Sequence, residues 1–165
     1  YFRIFIMNMN NFASIFIEKT VLGSKIHVLQ IGVVFVKDNK FRYFYKYVKN
    51  DIKNSNNAIE LSEVIKSLSK IIGDKKIILK NDDNNDFKVL TTMYTKYLNR
   101  PFTNFVYDVS KNSLFLGNKK SNLDFLCAKY DVNFKNDKGL PTSVFKAQKI
   151  FVIGTKMFKL GIKNV

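Results

Sequence analysis

The sequence predicts an α/β domain built on a mixed five-stranded sheet, three antiparallel strands followed by parallel ones, with helices on its faces. Three observations predict it. The first third of the chain carries three strand-like runs of apolar and β-branched residues separated by turn signals. The remainder alternates helix-period apolar patterns with short, wholly apolar runs, the signature of crossover connections. A length of 165 residues with 46% hydrophobic and 15% aromatic content is enough for one buried core and excludes a disordered chain.

Taken in order, residues 12–17 (F-A-S-I-F-I) read as a buried strand and residues 28–36 (V-L-Q-I-G-V-V-F-V) as a second. Asp38, Asn39 and Lys40 form a turn into residues 41–48, where aromatic and charged residues mix as on a more exposed strand. These three segments make an antiparallel meander. Leu61, Val64, Ile65, Leu68, Ile71 and Ile72 fall at helical spacing, and Gly73 supplies the stop. The run K-I-I-L at 76–79 suits a central parallel strand. After a polar loop at 81–86, Phe87, Leu90, Met93, Tyr94 and Tyr97 mark a second helix, which Pro101 closes off. Residues 105–107 are a last short strand. A helix around Leu123, Leu126 and Cys127 and a long helix from Thr142 to about Leu160 complete the order β-β-β-α-β-α-β-α-α. No repeat or internal linker interrupts it. Residues 1–11 are read as an N-terminal extension, 12–160 as the domain and 161–165 as a short tail.

The formal charge of +15 attracts phosphate polymers. Arginine contributes only Arg3, Arg42 and Arg100, so lysine supplies nearly all of it. That bias disfavours bidentate base reading and favours loose phosphate attraction. Abundant Lys, Asn, Ile, Phe and Tyr with scarce Pro, Gly and Ala is also the profile of an AT-rich genome, so drift competes as a source of the charge. No apolar run is long enough to span a membrane. The apolar opening Y-F-R-I-F-I lacks the length, basic flank and cleavage site of a signal peptide. Cys127 is the sole cysteine, which excludes an internal disulfide and a multi-thiolate zinc site. It is read as a buried structural thiol in a reducing intracellular compartment, cytoplasm or organelle matrix.

Five segments in order carry a family resemblance. S-I-F-I-E-K-T-V-L-G is followed by H-V-L-Q-I-G-V-V-F-V. Then come I-I-L-K-N-D-D-N-N-D-F-K-V-L, Y-D-V-S-K-N-S-L, S-N-L-D-F-L-C-A-K-Y-D-V and finally P-T-S-V-F-K-A. This series resembles the DEDD (DnaQ-like) 3′–5′ exonucleases, whose fold is ribonuclease-H-like, and it covers nearly the whole chain. The resemblance implies two divalent metals held by acidic residues from three motifs, which activate water and stabilise the leaving oxygen. Carried over by position, the first aspartate is replaced by Phe16, the neighbouring glutamate is kept as Glu18 and the second-motif aspartate as Asp86. The histidine that serves as general base is replaced by Pro141 and the last aspartate by Lys146. Residues 138–149 contain no carboxylate and no histidine, so a slip in register does not restore that motif. Hard cations need several anionic oxygens, and phenylalanine and lysine offer none. The chain is therefore expected to be a catalytically degenerate member with no metal and no cofactor. Glu18 and Asp86 are expected to be relics, paired with Lys146, rather than a reduced single-metal site.

Other constellations are weaker. Asp82, Asp83 and Asp86 lack the glycine and the distal glutamate of a calcium loop, since Phe87 and Met93 stand there. His27 is the sole histidine and begins a strand, with no nucleophile elbow near it. Gly23, Gly32 and Gly73 stand alone, outside any phosphate-binding loop. Phe41, Tyr43, Tyr45 and Tyr47 alternate along one strand with Arg42 and Lys46 among their neighbours. That pattern fits either a base-stacking surface or, preferred, a half-buried edge strand.

These readings converge on a pseudo-exonuclease, a non-catalytic nucleic-acid-binding or assembly component of a polymerase or ribonucleoprotein complex such as an organellar ribosome. Its partners are RNA or single-stranded DNA and a larger protein assembly, with no membrane. Lys111, Lys119, Lys120, Lys135, Lys138, Lys146 and Lys149 flank the cleft that the resemblance implies and are the expected phosphate contacts. One alternative is an active magnesium- or manganese-dependent 3′–5′ exonuclease that borrows Asp82, Asp83 or Asp108. Another is a protein-interaction module without nucleic-acid binding.

Overall fold

The sheet is organised around β1 (Phe12–Leu22), whose first six residues are buried on both faces. Alternation sends Phe12 and Phe16 to one apolar core and Ala13, Ile15 and Ile17 to the other. This computed structural model describes residues 9–50, 56–81, 85–118, 121–136 and 139–161. β2 (Lys25–Lys37) returns antiparallel to β1, and β3 (Lys40–Tyr47) returns antiparallel to β2 through the tight turn at Asp38 and Asn39, both at positive φ. After helix α1 (Leu61–Ile72), β4 (Lys76–Leu79) pairs parallel with β1. After α2 (Asp86–Leu98), β5 (Val106–Asp108) pairs parallel with β4. The strand order is β3-β2-β1-β4-β5. Three helices follow: α3 (Val109–Phe115), α4 (Leu123–Lys129) and the long α5 (Thr142–Lys159).

Two hydrophobic layers hold the sheet. On one face Ile15, Ile31, Val33 and Ile77 pack against α1 and α2 through Ile65, Leu68, Leu90 and Met93. On the other, α5 crosses the sheet and buries Val144, Ala147, Ile150, Phe151 and Ile153 against Phe16, Val34 and Ile78. Two close approaches require glycine. A Cβ on Gly32 of β2 would lie 2.5 Å from the Ser143 carbonyl carbon, and one on Gly154 of α5 would lie 2.3 Å from Ile78 Cγ2. The Ser14 hydroxyl donates to the Ala147 carbonyl oxygen at 2.6 Å, pinning α5 over β1 between those contacts.

The structure bears out the mixed sheet, and β4 matches its expected bounds. β1 and β2 run longer than the apolar runs that predicted them, because their hairpin projects past β3 and β4 as a two-stranded ribbon. Helix α3 is the element the sequence reading lacks: seven residues are too few to show a periodicity, and a local cap starts it. Met9, placed in the extension, is buried beside Phe12. Residues 1–8 of that extension and 162–165 of the tail lie outside the described residues.

Candidate functional site

In an open α/β sheet ligands gather outside the carboxyl ends of the parallel strands, and that end of β1, β4 and β5 collects the motif residues. Pairing of β1 with β4 ends at Ser14–Ile78, so the next stretch of β1 is free for other partners. The Ile17 amide donates to Asp86 Oδ2 at 3.2 Å. Asp86 opens α2, whose start is also held by Asn81, its Oδ1 accepting from the Phe87 amide at 3.0 Å. The other Asp86 oxygen, Oδ1, forms a short ion pair with Lys19 Nζ. The Asp86 side chain is 1% exposed and that of Lys19 9%. Burial pushes the Asp86 carboxyl above the usual carboxylate range, against the pull of Lys19, the Ile17 amide and the charge of Lys80, which is itself buried.

The expected partner of Asp86 was Lys146, and the structure corrects this. Lys146 stands on α5, over the opposite face of β1, with Nζ 4.8 Å from the centroid of the Phe16 ring. Phe16 and Lys146, expected from the resemblance at the first and last aspartate positions, therefore meet each other, while Asp86 meets Lys19 on the other side of the strand. Alternation explains the division: Phe16 and Glu18 point one way, Ile17 and Lys19 the other. Lys19 is thus the residue that motif reading missed, although its place on the face of Ile15 and Ile17, below the second motif, was visible in the strand period.

Glu18 is half-buried and lies opposite Gln30 in the β1–β2 register. Gln30 Oε1 accepts from the Ser143 amide at 3.3 Å in the first turn of α5, and Pro141 occupies the position before that helix. Asp108 is a structural cap: its Oδ1 accepts from the amides of Ser110, Lys111 and Asn81 at 2.9, 3.2 and 3.3 Å, tying β4 to the start of α3. Of the expected phosphate contacts, Lys111 and Lys135 are exposed, while Lys146 and Lys149 are half-buried, Lys149 over the Phe145 ring at 4.7 Å. Lys119, Lys120 and Lys138 lie outside the described residues, as do Asp82 and Asp83. Cys127 is buried, and burial pushes its thiol upward, away from the thiolate. His27 is half-buried opposite Thr20. β3 is an edge strand, with Phe41 and Tyr43 against the core and Tyr45 exposed.

Among the described residues no three of His, Cys, Asp and Glu converge as metal ligands. The donor set around Asp86 does not fit a two-metal centre: both of its oxygens are already engaged, one by the Ile17 amide and one by Lys19. No described helix is long and apolar enough to cross a membrane.

No family model matches the sequence, and no curated protein matches it. Solved structures do match. The RNase domain of the yeast Pop2 protein aligns over 96% of this chain and 81% of its own, with a TM-score of 0.62 and 16% identity. The Mg2+- and Mn2+-bound form of S. pombe Pop2p aligns over 94% and 85%, with a TM-score of 0.64 and 12% identity. Exonuclease X in complex with 5′-overhanging duplex DNA aligns over 91% and 93%, with a TM-score of 0.52 and 15% identity. At these identities the likeness establishes the fold, which is the ribonuclease-H-like α/β sheet.

Proposed function

We propose that this chain binds single-stranded nucleic acid on a nuclease scaffold without hydrolysing it, as a component of a polymerase or ribonucleoprotein assembly. The observation that carries the reading is what stands at the cation positions. Lys19 holds Asp86, and Lys146 lies on Phe16. An ammonium of the chain itself thus stands beside each of the two motif positions, one on either face of β1. An ammonium attracts phosphate oxygens, but it has no open coordination position and does not turn water into a nucleophile as a metal does. Pro141 stands at the general-base position and has no proton to exchange. The net charge of +15 and the exposed Lys111 and Lys135 support a phosphate-binding surface. The likeness to a DNA-bound exonuclease and to an RNase domain supports nucleic acid as its occupant.

The test is a labelled single-stranded oligonucleotide incubated with magnesium or manganese, with Asp86→Ala as control and binding read from the same samples. The expected result is an intact, bound oligonucleotide whose affinity falls steeply as salt rises. Metal-dependent shortening that Asp86→Ala abolishes would establish an active exonuclease instead. An oligonucleotide neither cut nor bound would leave a protein-interaction module.

A further inference from the structure

Behind the β1–β2 ribbon lies an apolar groove that the nucleic-acid reading does not use. Ile26 and Val28 of β2, Leu61 at the start of α1, and Val89 and Met93 of α2 line it, with Lys88, Thr92, Lys96 and Tyr97 completing its wall. Its volume is about 210 Å³. That is below the roughly 300 Å³ at which small-molecule and cofactor sites begin, and it suits a single large apolar side chain.

The apolar surface does not end at the groove. Val21 pairs with Ile26 across the ribbon, on the face that carries Val28 into the core. Val21 is 61% exposed and Ile26 49%. Among the described residues no further strand pairs with the ribbon at this level, because pairing with β3 begins at Gln30 and pairing with β4 ends at Ser14. Exposed β-branched residues that extend a preformed pocket are the anatomy of a docking surface rather than of a solvated hairpin.

The rim identifies the partner. Lys88, Thr92 and Lys96 repeat every four residues along α2, so the backbone positions of the two lysines lie about 12 Å apart along the helix axis, and both side chains border the pocket. Lys96 is held over the Tyr97 ring at 5.1 Å, which fixes its direction. An apolar floor between two lysines complements an apolar side chain between two acidic ones. A second copy of this chain is a poor occupant, since each copy carries +15. Nucleic acid would satisfy the lysines but has nothing to fill an aliphatic pocket lined by valine, leucine, isoleucine and methionine.

We propose that the groove between the β1–β2 ribbon and α2 docks a protein segment carrying one large apolar anchor flanked by aspartate or glutamate. The experiment is selection of a random 12-residue peptide display library against the whole chain. The enriched peptides are then synthesised and titrated by fluorescence anisotropy against the parent, Ile26→Ser, and the double variant Lys88→Glu/Lys96→Glu. All three substituted positions border solvent, and circular dichroism with thermal melting verifies that both variants fold. The expected peptides carry a Leu, Ile, Met or Phe with acidic neighbours and bind each variant at least tenfold more weakly than the parent. Three results overturn the proposal: no enriched motif, peptides that bind both variants as well as the parent, or peptides displaced by a single-stranded oligonucleotide. The last would assign the lysines to nucleic acid.

Discussion

Removing the Asp86 carboxylate gives the sharpest test of its role as a structural anchor. In Asp86→Ala, Lys19 keeps a buried ammonium with no counter-charge, and the Ile17 amide loses its acceptor. Breaking a buried pair from one side costs about 3–5 kcal/mol, the unpaired amide being part of that sum. For a chain of this size about 4 kcal/mol is a large share of the total stability of roughly 5–15 kcal/mol. It corresponds to a melting temperature lowered by roughly 8–16 °C, at about 2–4 °C per kcal/mol. Lys19→Met should cost a similar amount, because it leaves the carboxylate facing only the charge of Lys80. In the double variant Lys19→Met/Asp86→Leu both charges are gone, and it should lie within about 2 kcal/mol of the parent, the remaining cost being the Ile17 amide left without its acceptor. Urea denaturation of the four proteins closes the cycle, with an expected coupling above about 2 kcal/mol. A carboxylate held for a metal behaves in the opposite way. Without metal its removal relieves repulsion, so Asp86→Ala would be as stable as the parent or more so, and magnesium would raise the parent's melting temperature. Either outcome would refute the anchor reading.

Two further perturbations probe the scaffold that holds the site. Gly32→Ala should destabilise by about 1–3 kcal/mol in urea denaturation, because its Cβ would stand 2.5 and 2.6 Å from backbone atoms of Ser143 and Val144 and push the start of α5 off the sheet. Burial pushes the Tyr107 phenol from 10.0 up to about 12. The folded protein therefore holds that proton after the unfolded chain has released it. The associated stability is fully present below pH 10 and is lost as pH rises through 12, amounting to roughly 3 kcal/mol. Denaturant melts between pH 9 and 12 should show the decline, and Tyr107→Phe should flatten it.

The sequence by itself determined the sheet and most of its helices, because burial on both faces of a strand demands near-continuous apolar runs such as 12–17 and 77–79, and one-sided burial demands helical spacing such as Leu61–Leu68–Ile72. It also supplied the expectation that Phe16, Pro141 and Lys146 stand where the resembled family carries its ligands and base, since that reading is a matter of residue type and order. Helix α3 escaped because seven residues begun by the Asp108 carboxylate leave no period to detect. The pairing of charges escaped for a different reason. Asp86 and Lys19 are 67 residues apart, and Asp86 and Lys146 are nearly as remote, so nothing along the chain favours one lysine over the other. Only the tertiary structure decided between them, because the two lysines come from opposite faces of β1, and a buried carboxylate is neutralised by the ammonium on its own side of the sheet.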